Sequence, residues 1–148
     1  MMKGKQFIGA FLLSAVSSFS FAEDITGLWQ TIHDKTGAPK GLVEIRKEND
    51  TYVGKIVKVT PRAGYTPKET CVNCPPPYTN KPIIGLDVLT GLKSTDGLNY
   101  TSGRILDPNT GKLYSMKAKL SSNGKRLHLR GYLGISALGR NQIWIRVN

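Results

Sequence analysis

The sequence predicts an all-β fold: an antiparallel meander of about eight strands closed into a barrel. Three observations carry this. Apolar and polar residues alternate through most runs, as in Val43 and Ile45 against Glu44 and Arg46, or Met116, Ala118 and Leu120 against Lys117 and Lys119. Period-two alternation marks strands with one buried face. The links between runs have hairpin chemistry: Glu48-Asn49-Asp50, the five residues 107–111 (DPNTG) and Ser122-Asn123-Gly124 supply turn formers and positive-φ positions. Consecutive hairpins make a meander, and closing it leaves no unpaired sheet edge. The sequence does not exclude a two-sheet sandwich.

Residues 1–22 read as a cleavable secretory signal. Lys3 and Lys5 form a short positive start, residues 7–16 are apolar, and Ser20-Phe21-Ala22 places small residues before a cut at Glu23. The apolar run is too short for a bilayer core, which needs about 20 residues. No cysteine follows it to take a lipid, so a periplasmic or secreted product is expected. Residues 23–148 then form one domain of 126 residues with net charge +9, the signal holding two of the 21 basic and none of the 10 acidic residues. That excess suits an anionic envelope surface. The basic residues are nevertheless scattered among apolar ones, as on the solvated face of a sheet. Export removes nucleic acid from reach, and no later segment is apolar enough to span a membrane.

The candidate strands are 26–33, 42–47, 51–59, 83–89, 100–106, 113–120, 126–132 and 142–147. Two stretches interrupt them. Residues 60–81 hold five of the eight prolines and both cysteines, so they form a long surface loop rather than a central strand or helix. Residues 131–140 contain Gly131, Gly134 and Gly139. Without a GxxxxGK pattern or a following helix they do not make a phosphate loop, and a sharp bend with a bulge is expected.

Few residues offer chemistry. Cys71 and Cys74 are spaced C-x-x-C, but Pro75-Pro76-Pro77 follows at once and blocks the helix a redox site uses. The other classical metal donors, His33 and His128, are far apart in the sequence, and zinc needs four ligands. A small disulfide clip is the reading an oxidising compartment favours. Residues 134–139 (GISALG) miss the nucleophile-elbow spacing by one residue and lack its strand–helix context. No catalytic residue, metal or cofactor is therefore assigned, and a non-enzymatic protein is expected.

The tryptophans sit at the two ends of the predicted domain. Trp29 lies in the first strand, and Trp144 shares its parity with Arg146 in the last. If the barrel closes, Arg146 can stack on Trp29 and seal one end by a cation–π contact. Arg140 has the same parity and is the reserve. Two tryptophans buried independently are the alternative.

Gly27-Leu28-Trp29 resembles the G-x-W of lipocalins, whose last strand carries an arginine against that tryptophan. A closer likeness extends over almost the whole predicted mature chain. It runs through residues 25–30, Gly54-Lys55-Ile56-Val57-Lys58, the Cys71/Cys74 pair, residues 81–86 (KPIIGL), residues 103–108 (GRILDP) and the segment from Arg130-Gly131-Tyr132 to Arg146. In these stretches the chain resembles an exported bacterial family known as domain of unknown function 2147. The resemblance implies a lipocalin-like barrel in the periplasm or outside the cell, and it lends no catalytic residue.

Binding of a small apolar or amphipathic ligand in the barrel mouth is accordingly the expected function, since an eight-stranded barrel has room for side chains or one small ligand. Tyr114, Tyr132 and Ser136 are candidate ligand contacts. A filled barrel with a basic surface, acting as a non-catalytic envelope interaction or structural protein, is the alternative. Interior size separates the two: small inward side chains at Ala118, Gly131 and Ser136 would leave a cavity.

Overall fold

Alternating strands joined by short turns can bury their apolar faces only by curling around one another. In the computed structural model, which describes residues 24–147 together with Gly4 and Gly9, they do so as a single closed barrel. Its strands are β1 (Gly27–Ile32), β2 (Pro39–Glu48), β3 (Thr51–Val59), β4 (Asp87–Ser94), β5 (Asn99–Leu106), β6 (Leu113–Leu120), β7 (Arg126–Tyr132) and β8 (Arg140–Arg146). Each pairs antiparallel with its neighbours. β1 meets β8 through Trp29↔Arg146, Gln30↔Ile145 and Thr31↔Trp144. The barrel, not the sandwich, is the solution. The predicted signal peptide lies outside the described residues.

Burial follows the sequence alternation. On β6, Met116, Ala118 and Leu120 are buried while Ser115, Lys117 and Lys119 are exposed. On β7, Leu127 and Leu129 are buried while Arg126 and His128 are exposed. His33 lies just beyond β1, in the turn leading to β2.

The fourth strand departs from expectation. It begins at Asp87, not residue 83, and continues through Gly91 to Ser94. Ile83 and Leu86 belong instead to the long loop, where they are buried with Cys71, Cys74, Val88 and Leu106 in a second small core. Ile56 packs against both this cluster and the main one. Ile83 and Leu86 suit a strand pattern because they are apolar, but loop packing buries them, and Ile84 between them is exposed.

The interrupting loop therefore spans residues 60–86 and has an interior. Cys71 and Cys74 are disulfide-bonded with Cα atoms 5.4 Å apart, and both are buried. Backbone bonds from Cys71 to the Lys81 carbonyl (2.9 Å) and from Ile83 to the Glu69 carbonyl (3.0 Å) tie the loop to itself. It rests on the β5–β6 turn, where the Tyr65 hydroxyl donates to Asn109 Oδ1 at 3.0 Å. Gly111 in that turn has φ +75°, and the Asn73 carbonyl occupies the place a Cβ would need. Only glycine satisfies both conditions.

The glycine-rich stretch is also corrected. Gly131 and Tyr132 continue β7, Gly134 turns with φ +77°, and Ser136–Leu138 form a short 3-10 helix before β8 opens at Arg140. It is a rim loop with its own helical turn, not a bulge.

Candidate functional site

The barrel has two unlike ends. At the end where β1 begins and β8 stops, the segment Asp24–Thr26 crosses the opening. Ile25 and Trp29 are fully buried, and Trp29 Nε1 donates to the Ile25 carbonyl at 2.9 Å. Arg146 lies over the Trp29 ring with its guanidinium carbon 4.5 Å from the centroid. Its nitrogens donate to the carbonyls of Gly124 (2.7 Å), Thr26 (2.7 Å) and Asp24 (2.5 Å). The cation thus satisfies three carbonyls while stacking on the ring, an arrangement that suits the planar, donor-rich guanidinium.

Tyr52 and Tyr100 complete this end, edge to face at 5.4 Å. Burial, with the nearby Asp24 carboxylate, pushes the Tyr52 phenol up to about 12. Burial is the largest single influence on Asp24 too and acts to raise it. Hydrogen bonds from Thr26 and Tyr52, with the charge of Lys47, outweigh that and hold the carboxyl below its ordinary value.

The opposite half is hollow. A cavity of about 290 Å³ enters the barrel where β8 starts and the 60–86 loop packs. Val43, Ile56, Met116, Leu129 and Trp144 line its inner part. The space exists partly because Gly131 faces it: a Cβ there would meet nothing closer than Tyr114 Cβ at 3.7 Å and Ile105 at 3.9 Å. Gln142 also lines the cavity, and its Oε1 accepts from Trp144 Nε1 at 3.3 Å.

The structure separates the residues singled out from sequence. Arg146 reaches Trp29, whereas Arg140 stands at the other end, 84% exposed and 3.4 Å from Asp34. Equal parity put both arginines on the inward face, but six residues of strand set them at opposite ends of the barrel. Tyr114, Gly131 and Trp144 line the cavity. Tyr132 and Ser136 do not: Tyr132 has the opposite parity from Gly131, and Ser136 sits in the rim helix, where its carbonyl accepts from Arg130 Nε at 2.7 Å. Ala118 is inward but buried in the filled core. Residues around the cavity that sequence reasoning missed include Lys40, Lys58, Arg62, Lys68 and Gln142. No local signal marks them, because they come from distant segments.

The fold is similar to a solved structure, protein HP1028 from the human pathogen Helicobacter pylori, described as belonging to the lipocalin family. The TM-score is 0.71 and the identity 21%, with 84% of each chain covered. At that identity the likeness is one of fold, an eight-stranded lipocalin-like barrel. No curated protein matches the sequence. The model of an uncharacterised protein family conserved in bacteria, DUF2147, matches residues 27–146, from the first residue of β1 to the last of β8, and the chain belongs to that family.

Proposed function

We propose that this protein is an exported, non-catalytic binder that holds one small apolar or amphipathic molecule in the open half of its barrel. The observation that carries the reading is the cavity itself: about 290 Å³, walled by aliphatic side chains and Trp144, and open at one end. Ligand sites typically combine such apolar walls with a few polar groups, a role that Tyr114 and Gln142 can fill. Export rests on the signal-like residues 1–22 and gives a periplasmic or secreted location. Cleavage before Glu23 would leave the Asp24–Thr26 segment in the mature chain, so processing is compatible with the sealed end.

Native mass spectrometry of protein exported from a bacterial host tests this. A co-purifying small molecule is expected, and Gly131→Leu should expel it by filling the cavity while the barrel still folds. A clean apo mass, together with no saturable change in Trp144 fluorescence on adding decanol or decanoate, overturns the reading. N-terminal sequencing of the same material should begin at Glu23.

A second reading, contact with an anionic envelope surface, is favoured by one specific feature. Leu133, Ile135 and Leu138 are 56%, 62% and 78% exposed on the rim loop, beside the cationic mouth residue Arg140. Apolar residues flanked by cations suit a bilayer interface. Flotation with anionic vesicles should capture the protein, and replacing the three residues with serine should release it. Equal capture by zwitterionic vesicles, or no effect of the replacements, would refute this contact.

A further inference from the structure

We propose that the open half of the barrel selects amphiphiles with an anionic head, a carboxylate or a phosphate carried on a single apolar tail. This rests on the ligand-binding reading above and adds the charge of the ligand. The tail follows from the walls and the volume, about 290 Å³, at the small end of the roughly 300–1,000 Å³ usual for ligand pockets. One slim chain fits such a space better than a bulky ring system.

The head follows from the mouth. Lys40 from β2, Lys58 from β3, Arg62 and Lys68 from the 60–86 loop, and Arg140 from β8 all contribute to the lining, with Asp107 the one acid among the lining residues. Asp34 engages Arg140 at 3.4 Å from outside. Even with Asp34 included, cations outnumber carboxylates there.

The other contacts leave the charge in place. Arg62 stacks on Tyr65 at 4.8 Å, and Lys68 Nζ donates to the neutral Asn109 carbonyl at 3.3 Å. Lys40 and Lys58 have no ion-pair partner among the described residues. A cleft lined by one sign of charge over low-dielectric walls concentrates the opposite sign. Gln142 contributes further: it lines the cavity, its Oε1 accepts from Trp144 Nε1, and its amide N–H groups are the donors it can offer a ligand. An anionic head would therefore meet cations and donors at the rim while its tail lies against Val43, Met116 and Trp144.

The test uses the delipidated full mature domain in a Trp29→Phe background, so that Trp144 alone reports binding. Decanoate, decyl phosphate, decanol and decyltrimethylammonium are titrated near neutral pH. Both acids should bind about tenfold more tightly than decanol at low salt, the sum of several weak exposed charge contacts. The ammonium compound should bind most weakly, and the preference for acids should shrink as salt is raised. Combining Lys40→Gln, Lys58→Gln and Arg140→Gln should bring the acids close to decanol and leave decanol itself unchanged.

Equal affinities for acids and alcohol would overturn the charge selection and leave the ligand-binding reading intact. Binding by none of the four would remove the ligand-binding reading itself. A triple variant that weakens acid and alcohol alike would mean that these residues shape the mouth rather than read charge, which also overturns the proposal. The order of decanoate and decyl phosphate identifies the preferred head.

Discussion

The two ends of this barrel are built from the same eight strands and do opposite things with them. At the sealed end the inward positions are large (Trp29, Tyr52, Tyr100, Leu120 and Leu127), all buried and packed in one cluster. Arg146 and the Asp24–Thr26 segment close that end with hydrogen bonds. At the open end an inward position is Gly131, and a long disulfide-clipped loop forms one wall instead of a plug. The difference shows how a small barrel can be both stable and hollow. Close packing at one end holds the strands in register, so the other end can omit side-chain volume without losing the fold.

That division can be broken most directly at Trp29. Trp29→Ala removes a fully buried ring from the sealed end and should cost roughly 3–5 kcal/mol by chemical denaturation. Ile105→Ala, at a half-buried position lining the cavity, should cost only about 1–2 kcal/mol, because much of that side chain's surface already faces open space. Equal losses would mean that the open end carries as much stability as the sealed one.

The arginines sharpen the contrast. Arg146→Ala should destabilise by about 1–3 kcal/mol, since it strips the partner from three part-buried carbonyls as well as from the ring. A double-mutant cycle with Trp29→Ala should be non-additive because the two side chains touch. Arg140→Ala should leave stability within about 0.5 kcal/mol, as expected of an exposed side chain. Non-additivity of Arg140 with Trp29 would contradict their placement at opposite ends. Replacing Cys71 and Cys74 by serine should cost about 2 kcal/mol from the short closed loop. Thiol labelling of the native protein should find both cysteines blocked.

The smallest effects are those of pH. Hydrogen bonds from Arg46, 2.8 and 2.9 Å away, hold the Asp87 carboxyl below its ordinary value. Asp24 at the sealed end is lowered as well. For both, the unfolded chain takes up a proton before the folded one does. Their stabilisation is therefore complete above about pH 4 and is lost as pH falls through the lower folded values. Asp87→Asn should flatten that acid limb by up to about 1 kcal/mol, because the pair is partly exposed. At the alkaline end Tyr52 has the opposite sign. Its folded value is raised to about 12, so stability present below pH 10 declines as pH climbs toward 12. Tyr52→Phe should remove that decline while leaving the cavity's affinity for decanol unchanged.

Much of the sealed end was legible in advance. Gly27-Leu28-Trp29 and the parity of Trp144 with Arg146 pointed to a closing contact that needed only β1 and β8 to meet. The Cys71–Cys74 bond followed from spacing, prolines and expected compartment. Strand 83–89 failed because Ile83 and Leu86 are buried by loop packing rather than by the barrel, and local pattern records burial without saying by what. Tyr132 and Ser136 do not line the cavity, for two different reasons. Tyr132 is still in β7 with the parity opposite to Gly131, and Ser136 lies in the rim helix, where the chain has left the sheet and strand parity no longer predicts direction.

By itself the sequence determined the repeating alternation, the turn positions and the approximate strand count, because each depends on residues close together in the chain. It offered Arg146 and Arg140 alike as partners for Trp29, and the meeting of β1 with β8 decided for Arg146. Only the tertiary structure decided where the hollow lies and what rings it. Lys40, Lys58, Arg62, Lys68 and Arg140 read along the chain as scattered surface charge, and closure of the sheet brings them to one mouth. A cavity is the volume that no side chain fills. It depends on how all eight strands tilt and stagger together, and no local segment of sequence encodes that.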